Sequence, residues 1–233
     1  TYQQSSAADQ EELSADPENR LLARGPKNRL KAESLRDLAL SASGLLVNEI
    51  GGPSVKPYQP EGLWTQVSSG GRYTRKYMTA QGDEALRRSL YTYWKRVQPP
   101  PAMVIFDAGR RNICTVKRQS TNTPLQALVL LNDPQFVEAS QALAQRMIDE
   151  GGQSSEERIS YAFRWATSRK PEQDEVAILE GLLQKEQEEF QQYPERAIAF
   201  VKKAPSKMNT TELASYTVVA NAIINLSESM QKN

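Results

Sequence analysis

Residues 118–141 read RQSTNTPLQALVLLNDPQFVEASQ, and two helix starts stand ten residues apart within them. Thr123 precedes Pro124, and Gln126 follows three positions after Thr123. That is the spacing of a capping box with proline at the first helical position. Leu125, Leu128, Val129 and Leu131 then make the run apolar on nearly every side, which predicts a short helix buried in the core. Asn132 ends it. Asp133–Pro134 repeats the signal for a second helix, with Phe136, Val137, Ser140, Leu143, Ala144, Met147 and Ile148 as its inner stripe. Helix capping explains Thr123, Gln126 and Asp133, because a helix start leaves N–H groups without partners. Arg118, Thr121 and Asn122 precede the first cap and have no such explanation. Beside a helix start with its partial positive charge, and next to Lys117, they mark a candidate anion or carboxylate pocket. Its occupant is expected to be an internal acid such as Asp107, ahead of a neighbouring domain or an acidic ligand.

The flanks are helical by the same periodicity. Leu35, Leu38, Ala39, Ala42, Leu45 and Leu46 form one apolar face, and Gly51, Gly52 and Pro53 break the pattern. Ser154 and Glu157 form a capping box ahead of Ile159, Ala162, Phe163 and Ala166. A longer helix follows Pro171 with Val176, Leu179, Leu182, Leu183 and Phe190 inward. A short one spans roughly 194–203, and Asn209 opens a last helix with a stripe of Leu213, Tyr216, Ala220, Ile223 and Leu226. Between the early and late helices, 53–64 reads as an extended proline-rich loop anchored by Trp64, and 66–84 as a mobile loop. RRSLYTYWKR (87–96) alternates like a strand, and AMVIFDAG (102–109) reads as a second. The expected fold is mainly α, a multi-helix domain over 21–233 with a small β element near 88–118. A polar lead-in occupies 1–20.

Composition bounds the chemistry. The chain has 233 residues, 39% hydrophobic and 24% charged, a net charge of +1, one cysteine and no histidine. Without histidine, Ser–His–Asp and Cys–His catalysis, histidine-based metal sites and histidine-ligated haem are excluded within these residues. A single cysteine excludes an internal disulfide, and Cys114, between Ile113 and Val116, reads as a small buried hydrophobe. No run is long and apolar enough for a membrane span. The first residues do not look like a signal peptide, and a chain opening on Thr1 is expected to be processed or part of something longer. Charge is unevenly placed: 72–118 carries eleven Lys/Arg and three Asp/Glu, whereas 149–195 carries five and twelve. Either the two halves pack together, or they solvate their own helices, or the basic one offers a surface to an anionic partner.

Several blocks together carry a family resemblance. They are DPENRLLARGPKNRLKAESLRDLALSASGLL (16–46), IGGPSVKPYQPEGLW (50–64), RRSLYTYWKR, the long block from Pro99 to Met147, and ATSRKPEQDE (166–175). The chain resembles a planctomycete-specific domain of unknown function that forms the C-terminal part of large secreted proteins, downstream of cytochrome c-like domains. Near the end it reads IINLSES (223–229) where that family tends to read LLNLDEF. The resemblance implies an extracytoplasmic, cell-surface or secreted setting linked to polysaccharide utilisation. It implies haem c elsewhere in the full protein and no cofactor in this chain. It supplies no catalytic residues.

The remaining acid–base candidates are carboxylates, Lys and Tyr. Asp107 follows an apolar run with Arg110 and Arg111 close by, which makes it a weak catalytic candidate and a better structural ion pair. Trp64, Tyr73, Tyr77, Tyr91, Tyr93 and Trp94 interleave with Arg72, Arg75, Arg87, Arg88, Lys95 and Arg96. That mixture suits a sulfated or acidic glycan, since guanidinium groups pair bidentately with anions. It equally suits a docked domain or a plain core strand, while the implied location disfavours nucleic acid. The expected role is a non-catalytic accessory domain contacting other domains or surface-complex subunits. The alternative is a polysaccharide-acting enzyme or sulfated-glycan-binding module using Trp64, Arg72, Tyr73, Trp94, Arg118, Thr121 and Asn122. No metal site is expected.

Overall fold

A computed structural model describes residues 4–6, 8–26, 28–67, 76–109, 111–201 and 209–232. Its helices are α1 (Gln10–Ala15), α2 (Ala32–Ala42), α3 (Leu63–Gln66), α4 (Pro101–Ile105), α5 (Pro124–Asn132), α6 (Pro134–Glu150), α7 (Ser155–Thr167), α8 (Gln173–Gln192), α9 (Pro194–Phe200) and α10 (Thr210–Ile224). The architecture is mainly α. Helices α5, α6, α7, α8 and α9 gather round α10, α2 packs against α6 and α7, and the segment between α2 and α5 lies over α2 as a largely irregular layer.

The amphipathic helices form as their spacing dictates. Phe136, Ser140, Leu143, Ala144 and Met147 of α6 are buried, as are Ile159, Ala162, Phe163 and Ala166 of α7 and Val176, Leu179, Leu183 and Phe190 of α8. The capping box of Ser154 and Glu157 is present, and Asp133 caps α6 by accepting from the Gln135 amide at 2.9 Å. Glu172 and Glu175 add a box at the start of α8.

Two helices depart from what their sequences suggest. Helix α5 is apolar all round, yet only Gln126 and Leu130 are buried in it; Leu125, Leu128 and Leu131 are about half exposed. Helix α10 occupies the centre instead, with ten of its residues buried, from Leu213 to Ile224. Small side chains make this possible. Ala214, Ser215, Thr217 and Ala220 let neighbours approach from every side. The hydroxyls of Ser215 and Thr217 donate to the carbonyls of Thr211 and Leu213 in their own helix, so they enter the core without a stranded donor. Asn221 Nδ2 donates to Leu130 O and Ser140 Oγ, both at 3.1 Å, tying α5 and α6 to the central helix.

The small β element expected near 88–118 is replaced by other structure. Ser89–Tyr91 is a 3-10 turn, and Leu90, Thr92 and Trp94 do not share a face: Leu90 is exposed and Thr92 buried. Prolines 100 and 101 start α4 where a strand was expected, with Pro101 fixed for the first helical turn. What remains of β structure there is two isolated bridges, Val47 to Arg87 and Val55 to Thr92. The paired strands lie elsewhere: β1 (Asn28–Arg29) runs antiparallel to β2 (Gln231–Lys232), joining residues from opposite ends of the chain. Helix α2 also stops earlier than the glycine–proline break suggests, at Ala42, with Gly44 in the left-handed region (φ 76°). Buried arginines fasten the irregular layer to the helices. Arg36 of α2 donates to the carbonyls of Ala85 (2.6 Å) and Arg87 (3.0 Å) and to Ser89 Oγ (3.2 Å). Arg87 in turn donates to the carbonyls of Pro53, Glu49 and Gly51.

Candidate functional site

The exposed face of α5 forms one wall of an apolar groove with a volume of about 340 Å³. Leu125, Leu128 and Val129 face Pro57, Tyr58 and Pro60 of the extended loop, while Pro100, Pro101, Met103 and Phe106 close the floor. Phe106 packs edge-on to Phe136 with ring centroids 6.3 Å apart. The proline-rich loop keeps its extended course because Val55 N donates to Tyr91 O at 2.8 Å and Tyr93 N to Val55 O at 2.7 Å. The prolines carry no N–H, so this wall buries few polar groups of its own.

Polar groups converge at one end. Arg36 Nε donates to Gln135 Oε1 at 2.9 Å, beside Asp133. Burial raises the Asp133 carboxyl above the usual carboxylate range, against the opposing hydrogen bond from the Gln135 amide. Burial likewise lowers the Arg36 guanidinium, with Asp37 and Asp133 opposing. Gln59 Oε1 and Thr92 Oγ1 are buried beside the groove without a hydrogen-bond partner among the described residues.

The corner ahead of α5 is built differently from a capping box. Thr123 makes no side-chain cap bond. Gln126 is 1% exposed and serves as a hub: its Nε2 donates to Ile105 O (2.8 Å) and Thr121 Oγ1 (3.1 Å), and its Oε1 accepts from Arg29 Nη2 (2.9 Å). Asp107 occupies the corner. Its Oδ2 accepts from Thr121 N at 2.7 Å, and the Thr121 hydroxyl lies 2.9 Å from Oδ2 and 3.1 Å from Oδ1. Asp107 sits in the left-handed region (φ 61°), a conformation Asp tolerates better than most residues. Arg118 turns away from it and pairs with Glu33 at 2.9 Å. Burial pushes the Glu33 carboxyl up, but the hydrogen bonds from Arg118 outweigh it and hold Glu33 below the usual range. Asn122 is exposed.

Among the described residues, the aromatic and basic side chains do not converge on one open platform. Trp64 is 4% exposed, with Tyr77 and Tyr93 at 4.9 and 5.6 Å and the amines of Lys56 and Lys95 over its ring. Trp94 is half-buried under the Arg111 guanidinium, 4.5 Å from its ring centre. Arg72 and Tyr73 lie outside the described residues. Cys114 is exposed rather than buried, as are Ile113 and Val116 beside it, because the loop that carries them projects from the helices. Of the groove residues, Leu125 and Leu128 stood out in the sequence as core. Pro57, Tyr58, Gln59, Pro60, Pro100 and Pro101 carry no site signal beyond the proline spacing of KPYQP and QPPP, which gives rigid apolar walls.

The model of one protein family, described as PSD1, protein of unknown function (DUF1553), matches residues 1–183. The chain belongs to this family. Every residue lining the groove and the Asp107–Thr121 corner falls within the DUF1553 match, whereas the central helix α10 falls after it. No curated protein and no solved structure matches the chain.

In this DUF1553 chain the groove offers apolar surface with a few polar groups at its edge. Such a lining suits apolar side chains of a polypeptide better than a sugar, whose many hydroxyls need hydrogen-bond partners. Among the described residues no group of three or more Asp, Glu or Cys side chains could hold a metal ion, and no helix is long and apolar enough to cross a membrane.

Proposed function

We propose that this domain is a non-catalytic docking module of a longer extracytoplasmic protein, and that its groove receives an apolar segment from a neighbouring, cytochrome c-like domain of that protein. Haem c belongs to that neighbour, and the setting is polysaccharide utilisation at the cell surface. The observation that carries the docking role is the exposed side of α5. A helix with leucines on nearly every face leaves Leu125 at 52% and Leu128 at 55% exposure over a groove walled by prolines. A folded domain gains little from keeping such residues in water, and contiguous apolar surface of this kind marks interaction sites. The setting rests on the sequence resemblance and on membership of a family of unknown function.

The test is to titrate the separately produced haem-bearing portion of the same protein against this domain and against a Leu125→Asp/Leu128→Asp variant. Binding weakened at least tenfold by the double substitution is expected, in a variant that still unfolds cooperatively with helical circular dichroism like the parent's. No binding, or binding indifferent to the substitutions, would overturn the docking role.

A further inference from the structure

Residues 111–121, with Asp107 at their root, form a prong with a fastened base and an exposed apolar tip. Thr121 clasps Asp107 at the root, Arg118 pairs with Glu33 on α2, and Arg111 stacks on Trp94. At the tip Ile113 is 82% exposed and Val116 fully so, and Lys117 and Arg111 flank them. A loop held at its base but presenting two β-branched residues to water stays available for burial against something else.

The charges indicate what that is. The prong ends the basic segment 72–118, and its ion pairs run to Glu33, Asp37 and Glu49. Ion pairs in the acidic segment 149–195 close within it or onto residues outside the basic one. Among the described residues no ion pair joins the two segments, so each leaves its excess charge unmatched by the other. The acidic segment has an apolar feature of its own. On the outer face of α8, Ile178 is 72% exposed, and a side chain at Gly181 would meet nothing within 4 Å. On the same stripe Asp174 precedes Ile178 by one helical turn, and Lys185 and Glu188 follow Gly181 by one and two; all three are exposed, and Glu188 accepts from Gln184 at 3.2 Å.

We propose that the prong of one copy docks on the outer face of α8 in a second copy. Ile113 and Val116 cover Ile178 and the open position at Gly181, while Arg111 and Lys117 face Asp174 and Glu188. The two surfaces are different, so the contact is head-to-tail, and every added copy leaves one prong and one α8 face unused. This contact is separate from the groove and stands or falls independently of it.

Sedimentation velocity on the whole 233-residue chain, under reducing conditions, tests this. At low salt the mass should grow with concentration. In about 1 M salt, where the screening length falls to roughly 3 Å, it should return toward monomer. Ile113→Asp and Ile178→Asp alter exposed residues and should each give a folded monomer. Mixed in equal amounts, the two variants retain one working prong and one working α8 face, and should form a dimer that grows no further. A monomer at every concentration, assembly that survives Ile113→Asp, or a mixture that stays monomeric would each overturn the proposal. Flotation of a monomeric chain with phosphatidylglycerol vesicles, lost in Ile113→Asp, would also overturn it and assign the prong to a lipid surface.

Discussion

Gln126 shows how one side chain can change its role between sequence and structure. Its position three residues after Thr123 suggests a cap, and a cap is worth about 0.5–2 kcal/mol. In the folded chain its amide lies in the core and joins α4, the Thr121 corner and β1 through three hydrogen bonds. Gln126→Leu keeps the volume but strands the Ile105 carbonyl and removes the acceptor from Arg29. It should lower stability by roughly 1–3 kcal/mol, the cost of leaving buried polar groups unpaired. Thr123→Ala, at an exposed residue with no cap bond, should cost less than about 0.5 kcal/mol. Urea midpoints of the two variants check this, and the reverse order would restore the capping box. Gln126 cannot be assigned its partners from spacing alone, because Ile105 and Arg29 reach it from separate stretches of chain; Asp107 is expected in the corner, but spacing does not decide that Thr121 and not Arg118 holds it.

At the scale of elements, periodicity locates the amphipathic helices well and misplaces those without a clear polar face. An all-apolar short helix reads as core, and a helix rich in Ala, Ser and Thr reads as one with a single inner stripe. Here α10 takes the centre because its small side chains admit close neighbours on all sides, and α5 is left with a single covered face. The contrast is measurable within α5. Leu130→Ala should cost roughly 2–5 kcal/mol, as a fully buried leucine does. Leu125→Ala and Leu128→Ala should cost at most about 1 kcal/mol each, since half of each side chain is already in water. Equal losses in thermal denaturation at all three positions would mean that α5 is buried all round.

At the scale of the whole molecule, the irregular layer between α2 and α5 is not an appendage. Arg36 of α2 and Arg87 of the layer are about 95% buried: Arg36 holds the carbonyls of Ala85 and Arg87 against α2, and Arg87 ties the layer's own carbonyls at Glu49, Gly51 and Pro53 together. A layer held by buried charged groups should unfold with the helices, since exposing either arginine's partners separately strands buried carbonyls. Circular dichroism, which follows the helices, and the fluorescence of a Trp165→Phe variant, which then follows only Trp64 and Trp94 in the layer, should therefore give coincident urea transitions. Two separate transitions would divide the expected 21–233 unit.

The sequence by itself determined the helical class, the inner faces of α2, α6, α7 and α8, the caps at Asp133 and Ser154, and the exclusion of histidine-based chemistry. These follow from local spacing and residue type, which act within a few turns of chain. The tertiary structure decided which helix is central, where the short strands pair, that Arg118 meets Glu33 while Asp107 meets Thr121, and that prolines from two distant loops wall a groove beside α5. Each of these depends on contacts between residues far apart in sequence, where burial on one side of an element is settled by what packs against it and not by its own pattern.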